Sequence, residues 1–402
     1  MKTIFVQIAS YRDPELVPTI KDCIAKAKHP ERLTFGVCWQ NSPDEADVED
    51  FLKSVPKLTY LNIPHFSSRG LCWARSLIQK MYKGEDYTLQ IDSHHRFVEG
   101  WDTELEHMVE LTDSPKPIIG SYCEQYYPLE DKEVLKRPFR MTAKKFNKSG
   151  TISFYPEVIT DYEKLSKPIR ARFVSGHFFF TIGQHCEEYK YDPNIYFAGD
   201  EISLSIRSFT LGYDLFHPHK HLLWHEYTRK GRVKHWDDFN LANKQRNKID
   251  KMWHEIDSEG LKRLRQMLRE EDNGIDLGEY DLGSVRTHKE YEDYAGINFA
   301  NKILHQNTMK GTEPPVNDPD DKWWNKLIEY ALELNIPEPE GDFRFIYVGV
   351  EDAAGTVLYR SDLKKYTKKL NLKFQSITQP VCYVVWRYGL DNEWKERNDF
   401  VL

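Results

Sequence analysis

Asp92, Ser93 and His94 follow directly on the apolar run Tyr87–Ile91, in the stretch YTLQIDSHHRF. A strand that ends in a carboxylate and an imidazole two positions apart presents both side chains from one tight turn. Such a pair can hold a divalent cation and let it bridge to the oxygens of a nucleotide diphosphate. A carboxylate is a hard ligand and an imidazole a borderline one, so the mixed set suits Mn²⁺ better than Mg²⁺. The bland alternative is a strand-ending turn begun by Asp92 and Ser93, with His94 and His95 solvated.

A third ligand has to come from a distant segment. FHPHKHLLWHEY, 216–227, offers His217, His219, His221 and His225. The first three alternate and would share one face of a strand, either as an independent zinc site or as a polar strand face. His225 is the expected third ligand, with His217 and His219 as the other candidates. In FAGDEISLSIRSFTLGYDLF, 197–216, Asp200 and Glu201 open a helix, where acids complement the helix N-terminus and where a carboxylate facing a metal could instead orient a hydroxylated ligand. RFVSGHFFF, 172–180, has a small Ser-Gly step, read either as a bulge in a buried strand or as backbone that approaches a ligand closely.

These residues need a frame. IFVQIA at 4–9, FGVCW at 35–39, LTYLNI at 58–63 and YTLQI at 87–91 read as strands, with a helix from LVPTIKDCIAKAK between the first two. A further helix, capped by Ser67 or Ser68, carries Leu71, Ala74, Leu77, Ile78 and Met81 at helical spacing. Strands alternating with helices imply a mostly parallel sheet whose ligands bind beyond the carboxyl ends of the strands, where Asp92 stands. Later, PIIGSY, RFVSGHFFFTI and YDLFHPHKHLLWH are strand-like, while 258–271 with a Ser cap and 288–304 read as helices. TEPPVNDPDD, 312–321, reads as a boundary, followed by a helix in WWNKLIEYALEL and then by β-type sequence to the end. The expected division is a catalytic α/β domain over 1–311, a linker and helix over 312–341, and a small β-rich domain over 342–402.

Composition narrows the function. With 402 residues the chain can form one large α/β domain plus a smaller one. Its 56 basic and 63 acidic residues give a net charge of -7, which argues against a dedicated nucleic-acid binder. Neither G-x-G-x-x-G nor G-x-x-x-x-G-K-[ST] follows a strand, which argues against a dinucleotide dehydrogenase or a P-loop enzyme. No secretory-type apolar core stands at the start and no run of eighteen apolar residues follows, so no membrane span is expected. Six cysteines without a C-x-x-C pair suit a reduced, cytoplasmic chain.

IASYRDPEL, GLCWARSLIQKMYKGEDYTLQIDSHHRFVEGWD, FAGDEISLSIRSFTLGYDLFHP and YAGINF, in that order and spacing, resemble the cytoplasmic hydroxyproline-polypeptide N-acetylglucosaminyltransferases that glycosylate the ubiquitin-ligase adaptor Skp1. The resemblance covers residues 1–300. A more distant similarity runs to the polypeptide N-acetylgalactosaminyltransferases. Both groups imply the GT-A fold, a UDP-sugar donor, here UDP-GlcNAc, and retention at the anomeric carbon. Carried over residue by residue, the resemblance puts the metal on Asp92, His94 and His225, and Ser10, Arg12, Asp13 and Ser93 near the uridine or its diphosphate. It puts Arg75 on the diphosphate, Gly176 and His177 at the donor sugar, and Asp200 and Glu201 at sugar and acceptor. His177 departs from the small or apolar residue of the galactosaminyl group. The implied mechanism is departure of a metal-neutralised diphosphate that can itself take the proton of the acceptor hydroxyl, with no enzyme nucleophile. The acceptor is a hydroxyproline of a protein or a saccharide. Two rivals stay open: a sugar-nucleotide pyrophosphorylase, which would need a Gly-rich loop where IASYRDPE stands, and a glycan-binding protein that uses Trp386 and Trp394 of the C-terminal part.

Overall fold

The computed structural model describes residues 2–402 except 44, 129, 131–133, 148, 230, 317–321 and 392. The part of the expected boundary segment over 317–321 therefore lies outside the described residues.

Strands β1 (Ile4–Tyr11), β2 (Leu33–Asn41), β3 (Leu58–Pro64) and β4 (Tyr87–Asp92) run parallel, with β1 between β4 and β2. Alternation along β1 explains the layers. Ile4, Val6 and Ile8 pack into one apolar cluster with Leu16, Ile20 and Cys23 of the helix Leu16–Lys26 and Trp101 and Leu105 of the helix Trp101–Leu111. Phe5 points the other way, against Ala74 and Ile78 of the helix Leu71–Gln79. Each such buried aliphatic side chain contributes about 1.5–3 kcal/mol, so the central strands are the firmest part of the frame.

Beyond β4 the chain forms β5 (His95–Phe97), β6 (Pro117–Gly120), β7 (Glu124–Gln125), the antiparallel pair β8 (Phe139–Phe146) and β9 (Ile152–Val158), β10 (Ile169–Arg170), β11 (Phe178–Ile182), β12 (Asp214–His217) and β13 (Leu223–His225). The large sheet has the order β10-β12-β6-β11-β4-β1-β2-β3, with β11 antiparallel between β4 and β6. A small sheet, β5-β13-β7, sits just past the end of β4. The C-terminal part is β-rich, as expected: four antiparallel strands over 343–401 and a two-stranded ladder share a core of Leu334, Ile346, Val348, Leu372 and Val385.

Several local expectations are corrected. WWNKLIEYALEL is a short 3-10 turn, Trp323–Lys326, followed by a strand, Ile328–Asn335. Its Ala, Leu and Glu favour helix, but eight cross-strand pairs with Lys369–Ser376 override that weak preference. Residues 328–335 thus belong with the β-rich part rather than to a linker and helix. Ser67 and Ser68 do not cap the helix Leu71–Gln79: Ser67 ends a 3-10 turn, Ser68 accepts from Gly70 N–H, and Gly70 itself is the cap. Gly70 adopts φ 109°, and a Cβ there would meet Tyr196 Cδ2 at 2.5 Å. The helix expected over 258–271 is Trp253–Met267, so Ser258 lies inside it. The one expected over 288–304 is His288–Ala295, stopped by Gly296 at φ 65°. His217 lies in β12, but His219 and His221 lie beyond its end, so the three histidines do not share a strand face.

Candidate metal and ligand site

Asp92 is the last residue of β4 and pairs in register with Ala9 of β1, so its carboxylate stands at the carboxyl edge of the parallel strands. The turn after it is pinned from below by Thr19, whose hydroxyl donates to Ser93 C=O at 2.9 Å and accepts from His95 N–H at 2.9 Å. His95 then enters β5, where it pairs with His225 of β13. That ladder brings a residue 133 positions further on beside Asp92.

His94 Nε2 and His225 Nε2 lie 3.7 and 3.5 Å from Asp92 Oδ2. The ligand atoms of Asp92, His94 and His225 all fall within 4.8 Å of one another, the sole such group of metal-ligand type among the described residues. Neither ring nitrogen of His225 has a hydrogen-bond partner although both are buried, which leaves Nε2, beside Asp92, free to coordinate. Burial chiefly, aided by His94 and His95, holds the His225 imidazole far below the usual histidine range against the pull of Asp92, so it is neutral and able to coordinate. Burial raises Asp92, but His225, Arg75 and His94 together outweigh it and hold the carboxyl well below its usual range. His94 Nδ1 lies 2.7 Å from both Asp13 Oδ2 and Arg232 Nη1, contacts that turn Nε2 inward toward Asp92 and support the ring as a metal-bound histidine is usually supported. Asp13 also accepts from Ser93 Oγ at 2.8 Å and Arg232 at 3.0 Å. An acid and two imidazoles so placed fit Mn²⁺ or a similar cation.

A second hub lies behind this group. Arg75, 2 % exposed, donates to Asp200, to Asp92 Oδ1 at 3.1 Å and to Gly176 C=O at 2.6 Å. One planar fork thus ties together the end of β4, the segment before β11 and the helix Asp200–Thr210. Glycine is required at 176: a Cβ would run into the Asp200 carboxylate and sit 2.8 Å from Arg75 Nη1. Glu201 accepts from Tyr122 O–H at 2.7 Å and from Ser175 O–H at 2.9 Å; burial pushes its carboxyl up to about 7 despite those bonds. His177 has its Nδ1 2.9 Å from Ser175 Oγ and its ring stacked between Tyr122 and His225.

The cavity over the metal group is lined by Asp13, Asp92, Ser93, His94 and His225 together with Tyr227, Arg229 and residues 232–236. Three expectations change here. Arg75 is spent on protein groups and does not line the cavity. Arg12 turns away to Asp238, at 2.9 Å. Ser10 is fully buried beneath the surface of the cavity. His217 is committed to backbone through both nitrogens, with Gly120 O and Met141 N, and is no ligand. Sequence reasoning missed Arg229, Arg232, His235 and Trp236, all lining the cavity. The signal was the run YTRKGRVKHW directly after His225 and Glu226, cations interleaved with aromatics. Arg229 lies 5.1 Å over the Trp236 ring and has no carboxylate partner among the described residues. Trp386 and Trp394 lie far along the chain on neighbouring strands of the C-terminal sheet, their rings 4.4 Å apart, with Trp386 Nε1 donating to Lys395 C=O and Trp394 41% exposed.

A model of the family described as Glycosyltransferase (GlcNAc) matches residues 3–57 and 44–301. No curated protein matches the chain in sequence. Among solved structures, the chain is similar to GalNAc-T7 crystallised with UDP, GalNAc and Mn²⁺, at 14% identity and a TM-score of 0.46 over 72% of this chain and 56% of that one. It is also similar to S. aureus TarS 1-349, at 12% identity and a TM-score of 0.37 over 69% of this chain and 75% of that one. The TarS complex with UDP-GlcNAc gives 12% and 0.37 over 66% and 73%. The chain spans little more than half the length of the GalNAc-T7 structure. Among the described residues no helix is long and apolar enough to cross a membrane.

Proposed function

The chain belongs to the glycosyltransferase (GlcNAc) family, and from that premise we propose that it is a metal-dependent, retaining GT-A transferase that moves N-acetylglucosamine from UDP-GlcNAc to a hydroxyl acceptor. The observation that carries this reading is the convergence of Asp92, His94 and His225 at the carboxyl edge of the sheet. Mn²⁺ or Mg²⁺ bound there would neutralise the diphosphate as the bond to the sugar breaks. Arg229, a cation in the same cavity with no carboxylate partner among the described residues, takes the diphosphate role that the family resemblance implies for Arg75. Arg75 instead is a positioning residue that holds Asp92, Gly176 and Asp200 in place.

Asp200 and Glu201, at a helix mouth beside Gly176 and His177, do not line the cavity and are engaged by Arg75, Tyr122 and Ser175, so in this reading they shape the sugar and acceptor end of the site from behind it. The acceptor proton goes to the departing phosphate, so no enzyme nucleophile is needed. A hydroxyproline of a protein or a saccharide is the acceptor. Residues 1–311 form the catalytic unit in this reading and the β-rich C-terminal part is an appended module. Cytoplasmic location is supported by six unpaired cysteines, five of them buried. Rates of UDP release across a panel of UDP-sugars test the donor: preference for UDP-GlcNAc supports the reading, and preference for UDP-GalNAc or UDP-glucose overturns it.

A further inference from the structure

A second cleft, with no residue in common with the metal cavity, opens between β8, residues 302–309 and the C-terminal strands. Five cations line it, Lys144, Lys145, Lys302, Arg360 and Lys373, against one acid, Glu329. In a chain of net charge -7 the lining itself carries a positive excess, centred on Lys145 and Lys373. Lys302 stands 3.7 Å from Glu270 and Arg360 is paired with Asp362 at 3.0 Å. Lys144 donates to Met309 C=O and lies 3.9 Å from Glu157, so three of the five have a carboxylate behind them. Lys145 and Lys373 are exposed and have no bonded partner among the described residues.

These two lysines come from different sheets, β8 and the strand Lys369–Ser376, so no single ladder forces them to face one cleft. Burial pushes the Lys144 ammonium below its usual range; Glu157 opposes this, and Arg360 and Arg140 add to it. Like charges gathered around a cavity destabilise one another, and an anion bound there would relieve that cost. Ammonium groups are compact point charges that suit a phosphate approached from several directions, and among the described residues of the cleft no free guanidinium fork is present to meet a planar carboxylate in bidentate fashion. The one guanidinium of the cleft is already engaged by Asp362.

We propose that this cleft is a binding site for a phosphate-bearing ligand, separate from the metal centre and spanning the α/β and β-rich parts of the chain. The proposal does not rest on the transferase reading. Calorimetric titration of the full, metal-free chain with tripolyphosphate, at low and high salt and against citrate, tests it. The expected result is saturable binding that weakens at least tenfold in K145E/K373E and in high salt. It should be stronger for tripolyphosphate than for citrate and unchanged in R229A. UDP-GlcNAc turnover should be unaffected by K145E/K373E. If charge reversal disturbs folding, K145Q/K373Q carries the same test with a smaller loss. No saturable binding, binding that survives both double variants, binding lost in R229A, or citrate binding as tightly as tripolyphosphate would each overturn the proposal.

Discussion

His94 Nδ1 lies 2.7 Å from Asp13 Oδ2, a bond that spans 81 positions of sequence and presents His94 Nε2 toward Asp92 and His225. Replacing Asp13 by Asn keeps the shape and removes the charge. Mn²⁺ affinity is expected to fall about 10–100-fold, read by calorimetry on the metal-free protein. An unchanged affinity would remove His94 from the ligand set.

Arg75 joins two carboxylates and a carbonyl in a buried place. Arg75→Met strands Asp200 without its partner, so the urea midpoint should drop by the equivalent of about 3–5 kcal/mol. Arg75→Lys keeps charge but loses the fork and should fall between. A loss under about 1 kcal/mol in the Met variant would contradict the positioning role.

Gly176 has no room for a methyl group between Asp200 and Arg75. Gly176→Ala is expected to cost about 1–3 kcal/mol through overpacking and to slow UDP release at saturating donor, because the end of β4 shifts. Thermal unfolding and kcat check the two halves separately.

Glu201 titrates at about 7 in the fold, against 4.5 as its ordinary value, chiefly through burial. The native state keeps a proton that the unfolded chain releases, so stability falls as pH rises from about 4.5 to about 7, by about 3 kcal/mol from this group. Glu270, raised to about 7 by burial in the same way, acts in the same window. The buried histidines, His185, His217 and His235 among them, are lowered from 6.5 and add the opposite slope in the same window, so the Glu201 contribution is read as a difference. Between pH 5 and pH 8, Glu201→Gln should lose less, or gain more, in urea midpoint than the wild type, by the equivalent of about 3 kcal/mol. An unaltered slope would show that Glu201 is ionised throughout.

Arg229→Ala should raise the donor KM by about 10–100-fold, the worth of a charge-assisted hydrogen bond or two, while leaving Mn²⁺ binding intact. Equal loss in Arg75→Lys and none in Arg229→Ala would return the diphosphate to Arg75.

The frame of the site was legible because its signals are local. Four apolar runs with helical spacing between them specify parallel strands, and Asp92 at the end of one of them needs no tertiary knowledge to stand out. His225 was legible as a histidine behind a short apolar run, although what brings it to Asp92, the β5–β13 ladder, is not visible in sequence. A helix cation such as Arg75 looks the same in sequence whether it faces a ligand or two carboxylates, and the fold sets it against Asp92 and Asp200. Arg229 and Trp236 were passed over because a loop has no periodicity. Ile328–Asn335 reads as helix by its residues and becomes strand only through a partner forty positions away.

The most direct test of the account is UDP release from UDP-GlcNAc with Mn²⁺ and with chelator, for the wild type and for Asp92→Ala. The expected result is turnover that chelation stops, Mn²⁺ restores and the substitution abolishes without loss of fold. Turnover that persists under chelation, or that survives in Asp92→Ala, would contradict the placement of the diphosphate on Asp92, His94 and His225.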